Sequence, residues 1–304
     1  MHDSSVQARL AHWQTRVNQA IERTLNQAPS AIMPNAQAPE KLHQAMGYAL
    51  TTPGKRLRPA LIYAMGEALQ CPDTALDHMA VAIECMHAYS LVHDALPLRD
   101  DDDRGRGQPT VHKQYDTGTA IVVGDALQSL AFEVLTQTPQ VKAATQVALL
   151  QTLAQAAGQH GMVGGQSMDM DATRQQMDAN RLSQLHQMKT GALITCACLM
   201  PSLPHPQAEA LKPILLTYGH ALGLAFQIQD DLLDTQSHDL GKTPGKDQQQ
   251  NKATYVTLWG KASAEKACQD WMQTAFAQLK KIKEVGIDTD GLETLTHWMM
   301  QRTH

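Results

Sequence analysis

The sequence predicts an all-α fold. The chain is rich in alanine, leucine, glutamine and methionine, all good helix formers, and only 4% of it is aromatic. Runs of alternating valine, isoleucine, threonine and tyrosine, which would read as strands, are missing. Apolar residues recur instead at helical spacing: Val6, Leu10, Trp13, Val17, Ala20, Ile21 and Leu25 mark a first helix over residues 3–27, closed by the proline-bearing stretch from Pro29 to Pro39. The same pattern predicts helices over 40–50, 55–70, 74–95, 117–137, 140–159, 178–199, 206–235, 251–282 and 289–302, parted by short breakers.

The 304 residues are 43% hydrophobic and 18% charged, a composition that folds around a sizeable core and excludes disorder as the main state. No stretch in the middle of the chain has linker composition, two polar, breaker-rich segments apart, and no fixed repeat is present, so residues 1–304 are expected to form a single domain. A net charge of −5 gives no global positive field for nucleic acid or an anionic membrane surface. Five cysteines without a C-x-x-C pair, no signal-like start and no apolar run approaching about 20 residues point to a cytoplasmic protein without a membrane span and with reduced thiols.

Two polar, breaker-rich segments, 97–116 and 235–250, each follow clustered aspartates and are candidate active-site loops. Asp230-Asp231-Leu232-Leu233-Asp234 ends an apolar window containing Leu222, Leu224, Ala225, Phe226 and Ile228. At helical spacing Asp230 and Asp234 share a face about 6 Å apart. Like charges that close raise one another's pKa unless a cation sits among them. Carboxylate oxygens suit Mg²⁺, which typically takes one or two carboxylates and completes its shell with water and phosphate. A second cluster has Asp94 before Pro97 and Asp100 after it; Asp101, Asp102 and Asp103 read as a solvated run. Basic residues suited to phosphate stand in Gly54-Lys55-Arg56-Leu57-Arg58-Pro59, at Arg106, in Lys189-Thr190, and at Lys242 and Lys252. With no P-loop, nucleophilic triad or G-x-G-x-x-G, the pattern points to a metal-clamped diphosphate that departs as a leaving group.

The chain resembles the trans-prenyltransferase (polyprenyl synthase) family, most closely its bacterial farnesyl diphosphate synthases. The resemblance rests on Gly54 to Pro59, His87-Ala88-Tyr89-Ser90-Leu91-Val92-His93-Asp94, Gly124 to Gln128, Gly161 to Gln166, Lys189 to Leu193 and Gln227 to Asp234, and covers nearly the whole chain. It implies a bundle of about ten or more helices around a deep central cavity, and Mg²⁺-dependent head-to-tail condensation of isopentenyl diphosphate with dimethylallyl or geranyl diphosphate. Asp94, Asp100, Asp230 and Asp234 are then expected around three Mg²⁺ ions, Asp231 and Asp234 acting through water. Lys189, Lys242 and Lys252 are expected on the allylic diphosphate. Lys55, Arg58, His87, Arg106 and Arg302 are expected at isopentenyl diphosphate. The Lys189 and Thr190 carbonyls and Gln229 are expected to steady an allylic cation. For Gln229 and Gln166 a buried helix–helix hydrogen bond is an equal reading. Homodimers are common in the family.

Three positions depart from the family pattern. Ala95 stands where a second aspartate is usual, Gly105 where a second arginine is usual, and Arg99 where an apolar residue is usual. Arg99 or Arg104 is a candidate to replace the lost cation. The departures motivate an alternative, a weakly active helical subunit that regulates an active partner. A terpene cyclase fits less well, because the second motif is aspartate-rich. Chain length is expected to depend on the helix bearing Asp94: Ser90 lies one turn before it, and Tyr89 about 7.5 Å lower along the axis. By resemblance the Tyr89 ring floors the pocket at farnesyl length, with geranylgeranyl as the longer alternative. The methionines and the Cys196-Ala197-Cys198 stretch read as core filler, and His93 as a structural histidine.

Overall fold

The computed structural model describes residues 2–27, 32–33, 35, 37–105, 107–172, 177–238 and 254–301. Helices α1 (His2–Leu25), α2 (Glu40–Thr51), α3 (Leu57–Ala68) and α4 (Asp73–Asp94) precede a two-stranded antiparallel ribbon, β1 (Arg104–Gly105) with β2 (Gln108–Pro109). After it come α5 (Val111–Gln114), α6 (Thr117–Thr136), α7 (Ala143–Ala157), α8 (Met162–Ala172) and α9 (Ala179–His186). A π-helical segment, Gln187–Gly191, joins α9 to α10 (Ala192–Leu199), and a 3-10 turn, Met200–Ser202, ends it. The chain closes with α11 (Ala208–His238), α12 (Tyr255–Trp259), α13 (Lys261–Glu284) and α14 (Asp290–Gln301).

The chain divides into two compact units, one of Met1–Tyr63 with Pro72–Leu150, the other of Ala64–Cys71 with Gln151–His304. In the first, α4 is the core helix: its residues from Met79 to Met86 are all buried. The predicted inward face of α1 is buried from Val6 to Ile21, and only Leu25 is half-exposed. Arg16 on α1 reaches α4 through Asp73 (2.8 Å) and Asp77 (2.7 Å). Helix α6 lies on α4 so closely that a side chain at Gly124 would occupy the space of the His93 ring, which bonds the Ile121 carbonyl at 3.0 Å. His93 is therefore the structural histidine expected.

Arg56 explains how the first basic stretch is held. It is buried, with φ 50°, and pairs with Glu84 of α4. Its guanidinium also donates to the carbonyls of Leu50 (2.5 Å) and Thr52 (3.3 Å) and to Asn18 Oδ1 (3.3 Å). The sequence groups Arg56 with the phosphate-seeking residues; the structure instead makes it a strut, with Lys55 exposed and Arg58 half-buried on either side.

Four differences from the predicted elements have local causes. The Arg104–Gly105 and Gln108–Pro109 ribbon turns at Gly107, whose φ of 81° favours glycine. The window over 251–282 breaks at Gly260, φ 79°, into α12 and α13. Helix α8 has no counterpart in the prediction: Gly164 and Gly165 interrupt the apolar spacing of its short run. Helix α6 is long and apolar enough, by length and composition, to cross a membrane, although no apolar run of that length was expected. Its buried residues, Ala120, Val123, Gly124, Leu127, Ala131, Val134 and Leu135, are those of a core helix packed on α4.

Candidate active site

In the first unit α4 ends at Asp94, and the chain turns back over that end. The amides of Asp100, Asp101 and Asp102 donate to the carbonyls of Asp94 (3.1 Å), Leu96 (3.2 Å) and Ala95 (3.3 Å). These bonds satisfy carbonyls that a helix C-terminus leaves unpaired. Asp101 takes the left-handed conformation, φ 46°, which aspartate tolerates better than most residues. The turn places Asp94, Asp100 and Asp102 on the wall of a cavity of about 330 Å³, with Arg104 and an apolar side formed by Ala88, Leu91, Val92 and Val111. Ala95 and Gly105, two of the departures from the family pattern, line the same cavity.

Asp102 corrects the sequence reading. Asp101 and Asp103 are exposed as expected, but Asp102 is half-buried, and Thr110 Oγ1 fixes its carbonyl at 2.7 Å. Asp103 pairs with Lys113 at 2.8 Å. Tyr89 is half-buried, its ring edge-on to His93 at 5.2 Å, and it is not among the residues lining this cavity. The Ser90 hydroxyl donates to the His87 carbonyl one turn back (2.8 Å), and His87 is half-buried.

In the second unit the π-helical segment is squeezed between two glycines. A side chain at Gly165 of α8 would fall on the Lys189 backbone nitrogen, and one at Gly223 of α11 would stand 2.7 Å from Gly191 Cα. π turns inside helices are frequent at functional sites. Lys189 Nζ pairs with Asp169 Oδ2 at 2.7 Å. Thr190 Oγ1 donates to Gln227 Oε1 (3.2 Å), and Gln227 Nε2 donates to Asp231 Oδ1 (3.2 Å). The Tyr255 amide donates to Asp231 Oδ2 (2.9 Å).

The three aspartates of α11 therefore have different surroundings. Asp230 is half-exposed and Asp234 exposed, whereas Asp231 is buried at 7% exposure. Burial, with the charges of Asp230 and Asp234, pushes the Asp231 carboxyl up to about 6, against its two hydrogen bonds. Asp231 thus tethers α12 to α11, where a supporting role through water was expected. Gln166 is buried, and Gln229 Oε1 lies 3.8 Å from Cys268 Sγ on α13. Sequence reasoning missed Asp169, Glu84 and the Tyr255 tether. The i, i+4 spacing of Gln227 and Asp231 was a legible signal for part of this network. Arg106, Lys242, Lys252 and Arg302 lie outside the described residues.

Among the described residues no three histidine, cysteine or acidic side chains converge as a group able to hold an ion. Paired carboxylates that leave most of the coordination shell to water and phosphate suit Mg²⁺. Asp94 with Asp100, and Asp230 with Asp234, fit that donor chemistry.

His186, at the end of α9, is held down to about 4 by burial and by Lys189, against the charge of Asp169. Its pKa lies below the ordinary value of about 6.5, so the unfolded chain binds the proton first as pH falls. Its contribution to stability is complete above about pH 6.5 and declines toward pH 4, by about 2–3 kcal/mol. Asp231 acts with the opposite sign in an overlapping window. The measurement is therefore the difference in urea midpoint between wild type and His186→Phe at pH 7.5 and pH 4.5. The variant is expected to gain relative to wild type at the lower pH; parallel losses would remove His186 from the account.

Comparison with known proteins places these features in context. The family described as polyprenyl synthetase matches residues 39–286. The chain is 44% identical to a farnesyl diphosphate synthase of Haemophilus influenzae over 88% of its length and 90% of that protein's. It is 40% identical to the farnesyl diphosphate synthase of Escherichia coli, covering 94% and 95%. A crystal structure of a geranyltransferase from Legionella pneumophila superposes with a TM-score of 0.84 at 34% identity, covering 98% of this chain and 99% of that one.

Proposed function

The chain belongs to the polyprenyl synthetase family, and from that premise we propose that it condenses isopentenyl diphosphate head-to-tail with dimethylallyl or geranyl diphosphate. The products are farnesyl diphosphate and diphosphate, so the protein is a prenyltransferase of the farnesyl diphosphate synthase type. The observation that carries this reading is the network of α11. Lys189 and Thr190 sit in the π segment, Thr190 is bonded through Gln227 to Asp231, and of the neighbouring aspartates Asp230 is half-exposed and Asp234 exposed.

Mg²⁺ held by Asp94, Asp100, Asp230 and Asp234 would supply the charge that a departing diphosphate requires. The count of three ions comes from the family resemblance. Lys189, Lys242 and Lys252 add donors for the phosphate oxygens, and Lys55, Arg58, His87, Arg106 and Arg302 hold isopentenyl diphosphate, with Gln166 as a further contact. The allylic carbon–oxygen bond breaks. The carbonyls of Lys189 and Thr190, and the Gln229 amide, face the cation that results. The isopentenyl double bond attacks it, and the proton lost in forming the new double bond goes to the released diphosphate.

Both units work as one prenyltransferase domain, a reading supported by a family match that spans both. The protein is cytoplasmic in this reading, in keeping with five free thiols. It acts as a homodimer, supported by the outward apolar side chains of Ile121 and Val122 on α6 and Val147 on α7. Light scattering after size exclusion tests that assembly.

Incubation with Mg²⁺, isopentenyl diphosphate and each allylic primer in turn, followed by product separation, tests the reaction. Farnesyl diphosphate is the expected product from geranyl diphosphate; no turnover with any primer would favour the regulatory subunit. If the Tyr89 ring floors the pocket, Tyr89→Ala lengthens the product by one or more isoprene units. An unchanged product distribution places the floor elsewhere.

A further inference from the structure

Asp94 has a cationic neighbour of its own chain. Arg99 Nη1 lies 3.0 Å from Asp94 Oδ1, and the two side chains are only 20% and 18% exposed. The turn that brings Arg99 back over the end of α4 is fixed by its backbone, with the Arg99 amide on the Leu96 carbonyl (2.9 Å) and the Asp100 amide on the Asp94 carbonyl (3.1 Å). Arg99 Nε is buried and has no hydrogen-bond partner among the described residues. A guanidinium presents five donors in a rigid fork, and leaving a buried one unmade is costly.

A guanidinium on a carboxylate oxygen and a divalent cation on the same oxygen exclude one another by like-charge repulsion. A metal that takes Asp94 Oδ1 must displace Arg99. The anion that would accompany the metal is a diphosphate, whose oxygens match the arginine fork. Arg99 has one N–H without an acceptor and is paired with a carboxylate of the acidic wall, so it has a second binding state available to it.

We propose that Arg99 is a positioning residue with two partners: it covers Asp94 in the metal-free enzyme and transfers to the substrate diphosphate when Mg²⁺ takes the carboxylate. The proposal rests on the reading of Asp94 as a Mg²⁺ ligand. Its consequence is coupling, since the metal must evict Arg99 and the diphosphate accepts it, so each ligand strengthens the binding of the other.

The test uses the full chain, Mn²⁺ as an electron-paramagnetic probe and inorganic pyrophosphate as the second ligand. Arg99→Met is expected to bind Mn²⁺ alone about 5-fold more tightly, the scale of a partly exposed ion pair. In saturating Mn²⁺ it is expected to bind pyrophosphate about tenfold more weakly. Arg99→Lys, which keeps the charge and loses the fork, should fall between wild type and Arg99→Met on both measures and carries the test if Arg99→Met does not fold. Asp94→Asn separates the two readings. If Arg99→Met leaves Mn²⁺ affinity unchanged while Asp94→Asn weakens it, the role of Arg99 is overturned and Asp94 remains a ligand. If Asp94→Asn leaves Mn²⁺ binding unchanged, both readings fall. Unaltered pyrophosphate affinity in Arg99→Met overturns the transfer to diphosphate.

Discussion

Replacing Asp230 by alanine is expected to lower kcat by about three orders of magnitude, because it removes a carboxylate that would hold the metal against the developing charge of the leaving group. The fold should survive, since Asp230 is half-exposed on α11 and alanine favours helix. Far-UV circular dichroism and the thermal midpoint check that, while steady-state kinetics with chelator controls check the rate. Asp231→Ala provides the contrast: it releases the Tyr255 amide and Gln227 and should lower the thermal midpoint as well as the rate. Near-native turnover by Asp230→Ala would remove Asp230 from the metal set.

Arg56→Met is expected to destabilise the protein by about 3–5 kcal/mol, the cost of leaving one charge of a buried ion pair without its partner. Arg56 and Glu84 are 5% and 2% exposed, so water cannot replace the lost guanidinium. Adding Glu84→Leu should recover part of the loss, because the stranded carboxylate is then gone. Recovery is incomplete because the carbonyls of Leu50 and Thr52 also lose their donor. Urea unfolding of the two single variants and the double variant measures this. A single variant as stable as wild type would mean that the strut is not needed.

Periodicity carried most of the fold. The buried faces of α1 and α6 follow apolar spacing, and α11 could be read to within a few residues of its ends. Helix α8 could not, because Gly164 and Gly165 look like breakers in a sequence, although here they permit close packing against Met188 and Lys189. At the candidate site the residue types were legible and their partners were not. Asp94 and Arg99 are five residues apart, and only the fold-back of the turn brings their side chains together. Asp231 reads from the sequence as a carboxylate that supports the metal set through water, and no local pattern shows that a backbone amide 24 residues away takes its second oxygen. The strut role of Arg56 depends on Glu84, 28 residues on, which no local pattern links to it.

The π-helical segment at Gln187–Gly191 has a consequence for how this region tolerates changes in length. One π turn holds one residue more than the α-helical path it replaces, so it behaves as a single-residue insertion within otherwise continuous helix. Deleting a residue there would let the chain run on as ordinary α-helix with α9 and α10 still in phase, because the π turn already absorbs the extra residue. Leu182 and Leu185 would keep their places in the core, and the loss would be local, at the bulge where Lys189 meets Asp169. Glycines at 165 and 223 leave no room for the bulge to widen around a further residue. An added residue is therefore the change that is transmitted, turning α9 by about 100° relative to α10, whereas a lost one is taken up where the bulge stands.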